Sequence, residues 1–313
     1  MSRDWTTWSL ADLPDQTGRT ILVTGVTSGI GTHTARELLR RGARVILAAR
    51  SAEKLDDTAR TLHSQVRGAS TERLLVDLSD LSSVRRAGAE AARFGPIDVL
   101  VNNAGVMATP QRRTGDGLEL QMATNHFGPF LLSGLLLPQL AASGDGRIVS
   151  VSSNGHRLAR TAPLADPRVP QRHYRRWGVY AQSKLANLLF TFEADRRLRT
   201  NDLPVRALAA HPGYAATHLL SSGATGGQRA ARRATAILDA AMKAGSQTAE
   251  MGALPTLMAA TADLPGSTYC GPSGFQQLQG LPRVVGCTML ARDQDAQRRL
   301  WEVSEETVGL RWP

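Results

Sequence analysis

Thr20–Thr24 is a short apolar run of β type that leads without a break into Gly25-Val26-Thr27-Ser28-Gly29-Ile30-Gly31. A helical pattern follows, with Ala35, Leu38 and Leu39 recurring on one face. Gly42 ends that helix, and Ala43–Ala48 is a second β-type run. This is a strand–turn–helix–strand unit, and its glycines stand where a dinucleotide needs them. A turn free of side chains lets backbone approach a pyrophosphate, and the helix N-terminus behind it supplies unpaired N–H groups and positive dipole. The spacing is GxxxGxG rather than the commoner GxGxxG, so the flanking strands and helix carry more weight than the glycines alone.

The same alternation continues down the chain. Ser51–Ser64 is helical, with Ser51 as a plausible N-cap. Strands are expected at Glu72–Val76, Ile97–Val101, Arg147–Val151 and Val205–Ala210, and helices at Leu81–Phe94, across Gly117–Leu140 and at Val179–Leu198. Beyond residue 220, Arg229–Ala244, Ala249–Ala262 and Arg292–Thr307 read as helices, with a last strand near Arg283–Val285. Strands alternating with helices, and no internal repeat, predict an α/β fold: a Rossmann-type, doubly wound, mostly parallel sheet with helices on both faces. At 313 residues the chain is long enough for one large α/β domain or two small ones, and no linker divides it. We read residues 1–18 as an N-terminal arm and 19–313 as one nucleotide-binding domain. Within it, 154–179 is an insertion near the active site and 220–313 a substrate-side and C-terminal region.

Composition removes several alternatives. No apolar run reaches the length of a membrane span, since Phe127–Leu140 is too short and is broken by Gly and Pro. Met1–Gly18 is polar and lacks a basic-then-apolar leader. Cys270 and Cys287 have no CxxC spacing, which argues against a disulfide scaffold or a structural zinc site; no metal is expected, and a cytoplasmic location is. The formal charge of +10 is spread over dispersed arginines and suits an enzyme of anionic ligands better than a nucleic-acid binder. The densest basic run, Arg157–Arg176, is open to three readings: a solvated loop, an electrostatic lid over substrate, or a nucleic-acid patch.

Polar groups able to do chemistry follow the strands, at the carboxyl edge where open α/β sheets bind ligands. Tyr180 and Lys184 are four apart on a helix and therefore share a face. An ammonium beside a phenol favours the phenolate and would bring tyrosine toward useful acid–base chemistry. Ser152 and Ser153 end a strand, where a hydroxyl can hold a carbonyl or alcohol oxygen, or can simply form a turn. Asn125 is a polar group inside a segment otherwise able to pack, and could equally be a local helix distortion.

Taken together, TGVTSGIG, NNAG, the isolated Asn, VSS, YAQSK and the PG after a strand resemble the short-chain dehydrogenase/reductases, from about Thr20 to Thr217. TGVTSGIG, NNAG, VSS and YAQSKLANLLF are more narrowly similar to the retinol-dehydrogenase and protochlorophyllide-reductase-like branch. The tail, with YCGPSGFQ and RRLWEVSEETVG, resembles uncharacterised actinobacterial members of it. The resemblance implies a catalytic tetrad of Asn125, Ser153, Tyr180 and Lys184. Ser153 and Tyr180 are 27 positions apart, as in the branch carrying an insertion there. It further implies that Gly25, Thr27, Ser28, Gly29, Ile30 and Gly31 line the pyrophosphate, and that Asp77 with Leu78 meets the adenine. Asn102, Asn103, Ala104 and Gly105 border the adenosine side, and Pro212, Gly213 and Thr217 lie by the carboxamide, with Tyr180 and Lys184 also at the cofactor. An epimerase-like branch shares YxxxK but has GxxGxxG at its turn, which this chain lacks.

The second strand ends in Ala48-Ala49-Arg50-Ser51, with no carboxylate until Glu53. NAD binders commonly place an acid there for the ribose 2′-OH, whereas an arginine accommodates a 2′-phosphate. Arg50 and Ser51 therefore predict NADP(H). The expected reaction is hydride transfer between NADP(H) and a small-molecule carbonyl or alcohol with an apolar body, with or without an anionic group, with tyrosine as general acid/base. A homodimer or homotetramer fits this reading; a nucleic-acid partner does not. The rival is a non-catalytic NADP(H)-binding sensor or scaffold, because a fold alone does not fix function.

Overall fold

The computed structural model describes residues 7–169, 173–214 and 247–313. β1 (Thr20–Thr24) is buried along its whole length, because strands run on both sides of it and helices cover both faces. Around it stand β2 (Arg44–Ala49), β3 (Ser70–Leu75), β4 (Val99–Asn102), β5 (Gly146–Val151), β6 (Val205–Ala210), β7 (Tyr269–Pro272) and β8 (Pro282–Val284). Their order is β3-β2-β1-β4-β5-β6-β7-β8, parallel throughout except for β8 against β7. Winding reverses between β1 and β4, which opens the crevice at their carboxyl ends where such sheets bind ligands.

Successive strand residues point to opposite faces and feed two cores. Leu22, Ile46, Leu100, Ile148 and Ala207 enter one. It is covered by α3 (Leu81–Ala91), α4 (Gly128–Ala142), α5 (Arg176–Thr200) and α7 (Gln294–Val308). Ile21, Val23, Val45, Val101 and Leu208 enter the other, under α1 (Gly29–Arg40), α2 (Ala52–Gln65) and α6 (Ala249–Thr261). α4 is apolar on nearly all sides because α3, α5 and the C-terminal segment enclose it. Trp301 of α7 stacks on Phe190 of α5 at 5.9 Å and 12°, and Trp312 meets Phe130 at 5.4 Å.

Boundaries and two elements differ from the sequence reading. β3 starts two residues earlier, at Ser70, and ends at Leu75; it is an edge strand in which Ser70, Arg73 and Leu75 are exposed and only Leu74 is buried. β4 begins at Val99, because Asp98 accepts from Thr20 N at 2.7 Å instead of extending the strand's apolar run. β7 was not anticipated: Tyr269-Cys270-Gly271-Pro272 has no alternation, and β6 recruits its backbone. β8 lies one residue earlier than expected, at Pro282–Val284. The segment before α4 is helical as expected, but Ala123–Phe127 forms a π turn around Asn125 and His126. In the arm, Trp8 is buried and donates from its backbone to Pro282 O at 3.1 Å, so it packs as part of the core. The helix expected at Arg229–Ala244 lies outside the described residues. No helix among the described residues is long and apolar enough to cross a membrane.

Candidate active site

At the crevice, two turns are locked together. Thr24 Oγ1 accepts from Asn103 N and Ala104 N, both at 3.0 Å, and Asn103 Nδ2 returns to Thr24 O at 2.8 Å. Gly25 has φ +72°, and a Cβ there would stand 2.8 Å from Ala104 Cα. A Cβ on Gly31 would stand 2.3 Å from Gly25 O. These glycines are therefore required by the backbone's own close approach as well as by any ligand. Gly29 also has positive φ, and Ser28, the N-cap of α1, makes no side-chain cap bond, which leaves the helix's first N–H groups free to meet an anion. Val26, Thr27, Ser28 and Ile30 complete the turn, with Thr27 half-buried, Ser28 exposed and Ile30 buried.

Arg50 is exposed at the end of β2 and has no partner among the described residues. Its strand adjoins the glycine turn, since Gly25 N donates to Ala48 O at 2.8 Å. Ser51 caps α2 through Lys54 N at 3.4 Å. Asp77 holds an Asx turn, accepting from Ser79 N and Oγ, and Leu78 is buried against Gly128. Asn102 turns away toward α4 and donates to Ser133 Oγ at 3.0 Å, while the amide of Asn103 is spent on the glycine turn. Both asparagines brace the crevice, whereas Ala104 and Gly105 remain as its side-chain-poor border.

The proposed catalytic groups converge on β5 and α5. Ser152 Oγ donates to Lys184 O at 2.7 Å and is a strut between strand and helix. Ser153 turns the other way: its hydroxyl accepts from Gly155 N at 3.0 Å and faces Tyr180, since a Cβ on Gly155 would stand 3.2 Å from Ser153 Oγ and 3.3 Å from Tyr180 Cε1. Lys184 is buried with its Nζ 5.9 Å from the Tyr180 ring centre, and it donates to Val151 O at 3.0 Å, an oxygen shared with Asn187 Nδ2. Asn125, displayed by the π turn, accepts from Val106 N at 2.8 Å and donates to Val106 O and Ser183 Oγ at 2.9 Å. A Cβ on Gly105 would stand 3.0 Å from Asn125 Oδ1 and 3.3 Å from Lys184 Nζ, so these three also meet. Ser183 carried no signal of its own in the sequence, yet it links Asn125 to the Tyr180 carbonyl. Its i+3 spacing from Tyr180 was the available clue.

Electrostatics depart from the simple picture of lysine activating tyrosine. Burial raises the Tyr180 phenol above its ordinary range, and the neighbouring Ser153 hydroxyl opposes that rise. Burial also lowers Lys184 to about 8. An ammonium without a carboxylate partner is itself unfavourable in this setting.

After β6, Gly213 has φ +66°, and a Cβ there would meet Leu278 O at 2.4 Å. Gln247 donates to Pro212 O, so the Pro212–Gly213 turn is held from two sides. Thr217 lies outside the described residues. In the 154–179 segment, Arg157 bonds Asn154 and Gly286 O, and Arg168 bonds Thr307 O, so these two arginines are fastened to protein. Trp177 is half-exposed and stands edge-on to Tyr180 at 6.2 Å. A separate cavity of about 360 Å³ lies beside Arg112, Glu119, Met122, Leu164, Tyr174 and Gln182, and none of the four proposed catalytic residues lines it. Among the described residues no group of three or more His, Cys, Asp or Glu side chains is arranged to hold a metal.

Residues 19–164 match the short chain dehydrogenase family. Retinol dehydrogenase 13 of Homo sapiens is 36% identical over 298 residues, covering 95% of this chain and 86% of the relative. The chain belongs to the short-chain dehydrogenase/reductase family, in its retinol-dehydrogenase-like branch. An uncharacterised protein from Mycobacterium paratuberculosis is similar in structure, with TM-score 0.80, 41% identity and coverage of 98% of this chain and 99% of its own. A Beutenbergia cavernae protein described as an NAD(P)-dependent gluconate 5-dehydrogenase was crystallised with NADP; it has TM-score 0.58 and 27% identity over 79% of this chain and 92% of its own. Short-chain dehydrogenase/reductases are oxidoreductases that act on small molecules with a nicotinamide cofactor. The residues present fit such a dinucleotide: a glycine-lined turn, a helix N-terminus without a side-chain cap, an arginine at β2 with no partner among the described residues, and a buried ammonium whose protein acceptor is Val151 O.

Proposed function

We propose that this protein transfers hydride between NADP(H) and a carbonyl or alcohol substrate, with Tyr180 as the general acid and base. The observation that carries the reading is the convergence of the Ser153 hydroxyl and the Tyr180 ring against Gly155, with the buried Lys184 Nζ 5.9 Å from that ring. A bound NADPH would supply hydride chemistry at this site, reducing a carbonyl to an alcohol. Ser153 orients the substrate oxygen, and Tyr180 gives it the phenolic proton as negative charge develops there. Lys184 offsets the charge left on Tyr180 and would hold the nicotinamide ribose. Asn125 is suited to keep a relay water near Lys184. Glycines 25, 29 and 31 with Thr27, Ser28 and Ile30 would hold the pyrophosphate, Asp77 and Leu78 the adenine end, and Pro212 with Gly213 the carboxamide side.

The choice of NADP(H) rests on Arg50, which is exposed at the end of β2 and has no hydrogen bond or ion pair among the described residues. The NADP found in the Beutenbergia relative is consistent with it. Fluorescence titration should give tighter binding of NADPH than NADH. Arg50→Ala should weaken NADPH roughly 10- to 100-fold, the worth of a lost charge-assisted pair, and leave NADH nearly unchanged. Equal binding of both cofactors by the wild type contradicts the assignment. Cys270 and Cys287 are unpaired, which suits a reducing, cytoplasmic setting.

For substrate we infer a carbonyl with an apolar body, since Trp177 flanks Tyr180 and two arginines of the neighbouring segment are tied to protein. A screen of NADPH oxidation across aldehydes and ketones, with and without carboxylates, tests the reaction class. Failure of every carbonyl while NADPH still binds would favour a cofactor-sensing role.

A further inference from the structure

We propose that His156 is a positioning residue for the Ser153 hydroxyl, acting as a neutral imidazole whose Nδ1–H is committed to the Ser153 carbonyl. The proposal rests on the role given above to Ser153. Ser153 caps the short turn Asn154–Leu158, and His156 folds back beneath it, fully buried. Its Nδ1 lies 2.7 Å from Ser153 O, and its backbone N donates to the same oxygen at 3.0 Å. A carbonyl can only accept, so Nδ1 carries the proton. Burial pushes the imidazole down to about 4, which leaves Nε2 a bare acceptor. That nitrogen has no partner among the described residues.

A buried acceptor without a donor costs free energy, and an apolar side chain of similar size would fill this space more cheaply. What the imidazole adds is the donor under the serine turn. The hydroxyl it orients has little room to move: a Cβ on Gly155 would lie 3.2 Å from Ser153 Oγ and 3.3 Å from Tyr180 Cε1. Serine and phenol thus meet against a wall without side chains, and a shift of the Ser153 carbonyl carries the hydroxyl with it.

The neighbouring turn is braced with the opposite tautomer. His211 Nδ1 accepts from Gly213 N at 3.2 Å, so its Nε2 carries the proton and donates to Gln277 Oε1 at 3.1 Å. The Tyr269 ring separates the two histidines, at 5.9 Å from His156 and 5.1 Å from His211. Gln277 belongs to a loop in which Gln276 and Gln277 both hold left-handed φ, at +49° and +59°. The same loop accepts from Asn154 Nδ2 through Gln276 O at 2.8 Å. Consecutive non-glycine residues in that region are costly and persist where surrounding contacts hold them. The loop therefore ties the serine turn and the Pro212–Gly213 turn together from behind.

The test joins a direct readout of the imidazole to kinetics. In protein carrying 15N-labelled histidine, with the His156 signals assigned by their loss in His156→Asn, His156 should be the Nδ1–H tautomer and should not titrate from about pH 5 to 9. His156→Leu should lower kcat by roughly 10- to 100-fold, the scale of a misplaced catalytic group, with NADPH affinity held within about twofold. His156→Asn keeps a donor near the Nδ1 position and should recover most of that loss. The double variant with Ser153→Ala should be no slower than Ser153→Ala alone. An Nε2–H tautomer, titration near neutral pH, or His156→Asn as slow as His156→Leu each overturns the proposal, and the spectrum decides it even if His156→Leu does not fold. A slow Ser153→Ala beside a wild-type rate in His156→Leu overturns it alone. A wild-type rate in Ser153→Ala overturns the serine reading first and this proposal with it.

Discussion

Lys184 carries the clearest conflict between stability and use. Its ammonium is buried and held at about 8 against an ordinary 10.5. The unfolded chain therefore binds more protons between those values, and stability should rise as pH climbs through that window; below about pH 8 the full cost is present. Lys184→Met keeps the length and removes the charge, and Val151 O retains Asn187 as a donor at 3.1 Å. Without cofactor, this variant should melt above the wild type at pH 7, with the gap closing toward pH 10.5. A variant that melts lower at every pH would contradict the burial argument. At this scale much of the site was legible, because i,i+4 arithmetic alone puts Tyr180 and Lys184 on one face. The choice between Ser152 and Ser153 was not. It depends on which hydroxyl meets the Lys184 carbonyl and which turns toward Tyr180, and that follows from how α5 lies on β5.

Among the elements, α4 and the turn after β3 are fitted more tightly than any periodicity reveals. A Cβ on Gly128 would stand 2.1 Å from Leu78 O, so α4 presses directly on the residue following Asp77. Gly128→Ala should force the two apart, lowering stability by about 1–3 kcal/mol, the usual cost of overpacking. Because Asp77 and Leu78 are proposed to meet the adenine, NADPH binding should weaken as well. Differential scanning fluorimetry with and without NADPH measures both effects, and an unchanged melting temperature would contradict this packing. The glycine turn and the strand–helix alternation could be read ahead because each is written in a local pattern. The π turn at Ala123–Phe127 and strand β7 could not. The first answers to Val106 and Ser183, far along the chain from Asn125, and the second to the open edge of β6.

At the scale of the whole molecule, one continuous sheet brings the two halves of the chemistry to one edge. β1 and β2 supply the glycine turn and Arg50, β4 the Asn103–Gly105 border, β5 the serine turn, and β6 the Pro212–Gly213 turn. α5 then lays Tyr180 and Lys184 across β5, where Lys184 reaches Val151 O. The order of strands makes this arrangement possible, since the crevice forms where winding reverses beside β1. Tyr180 is proposed to move the proton. The most direct test of that role is the rate of NADPH oxidation by the wild type and by Tyr180→Phe, with the best carbonyl found in the screen. Loss of one hydroxyl should lower kcat about 10²–10⁴-fold while NADPH affinity stays within a few-fold. Equal turnover by the two proteins would contradict the mechanism.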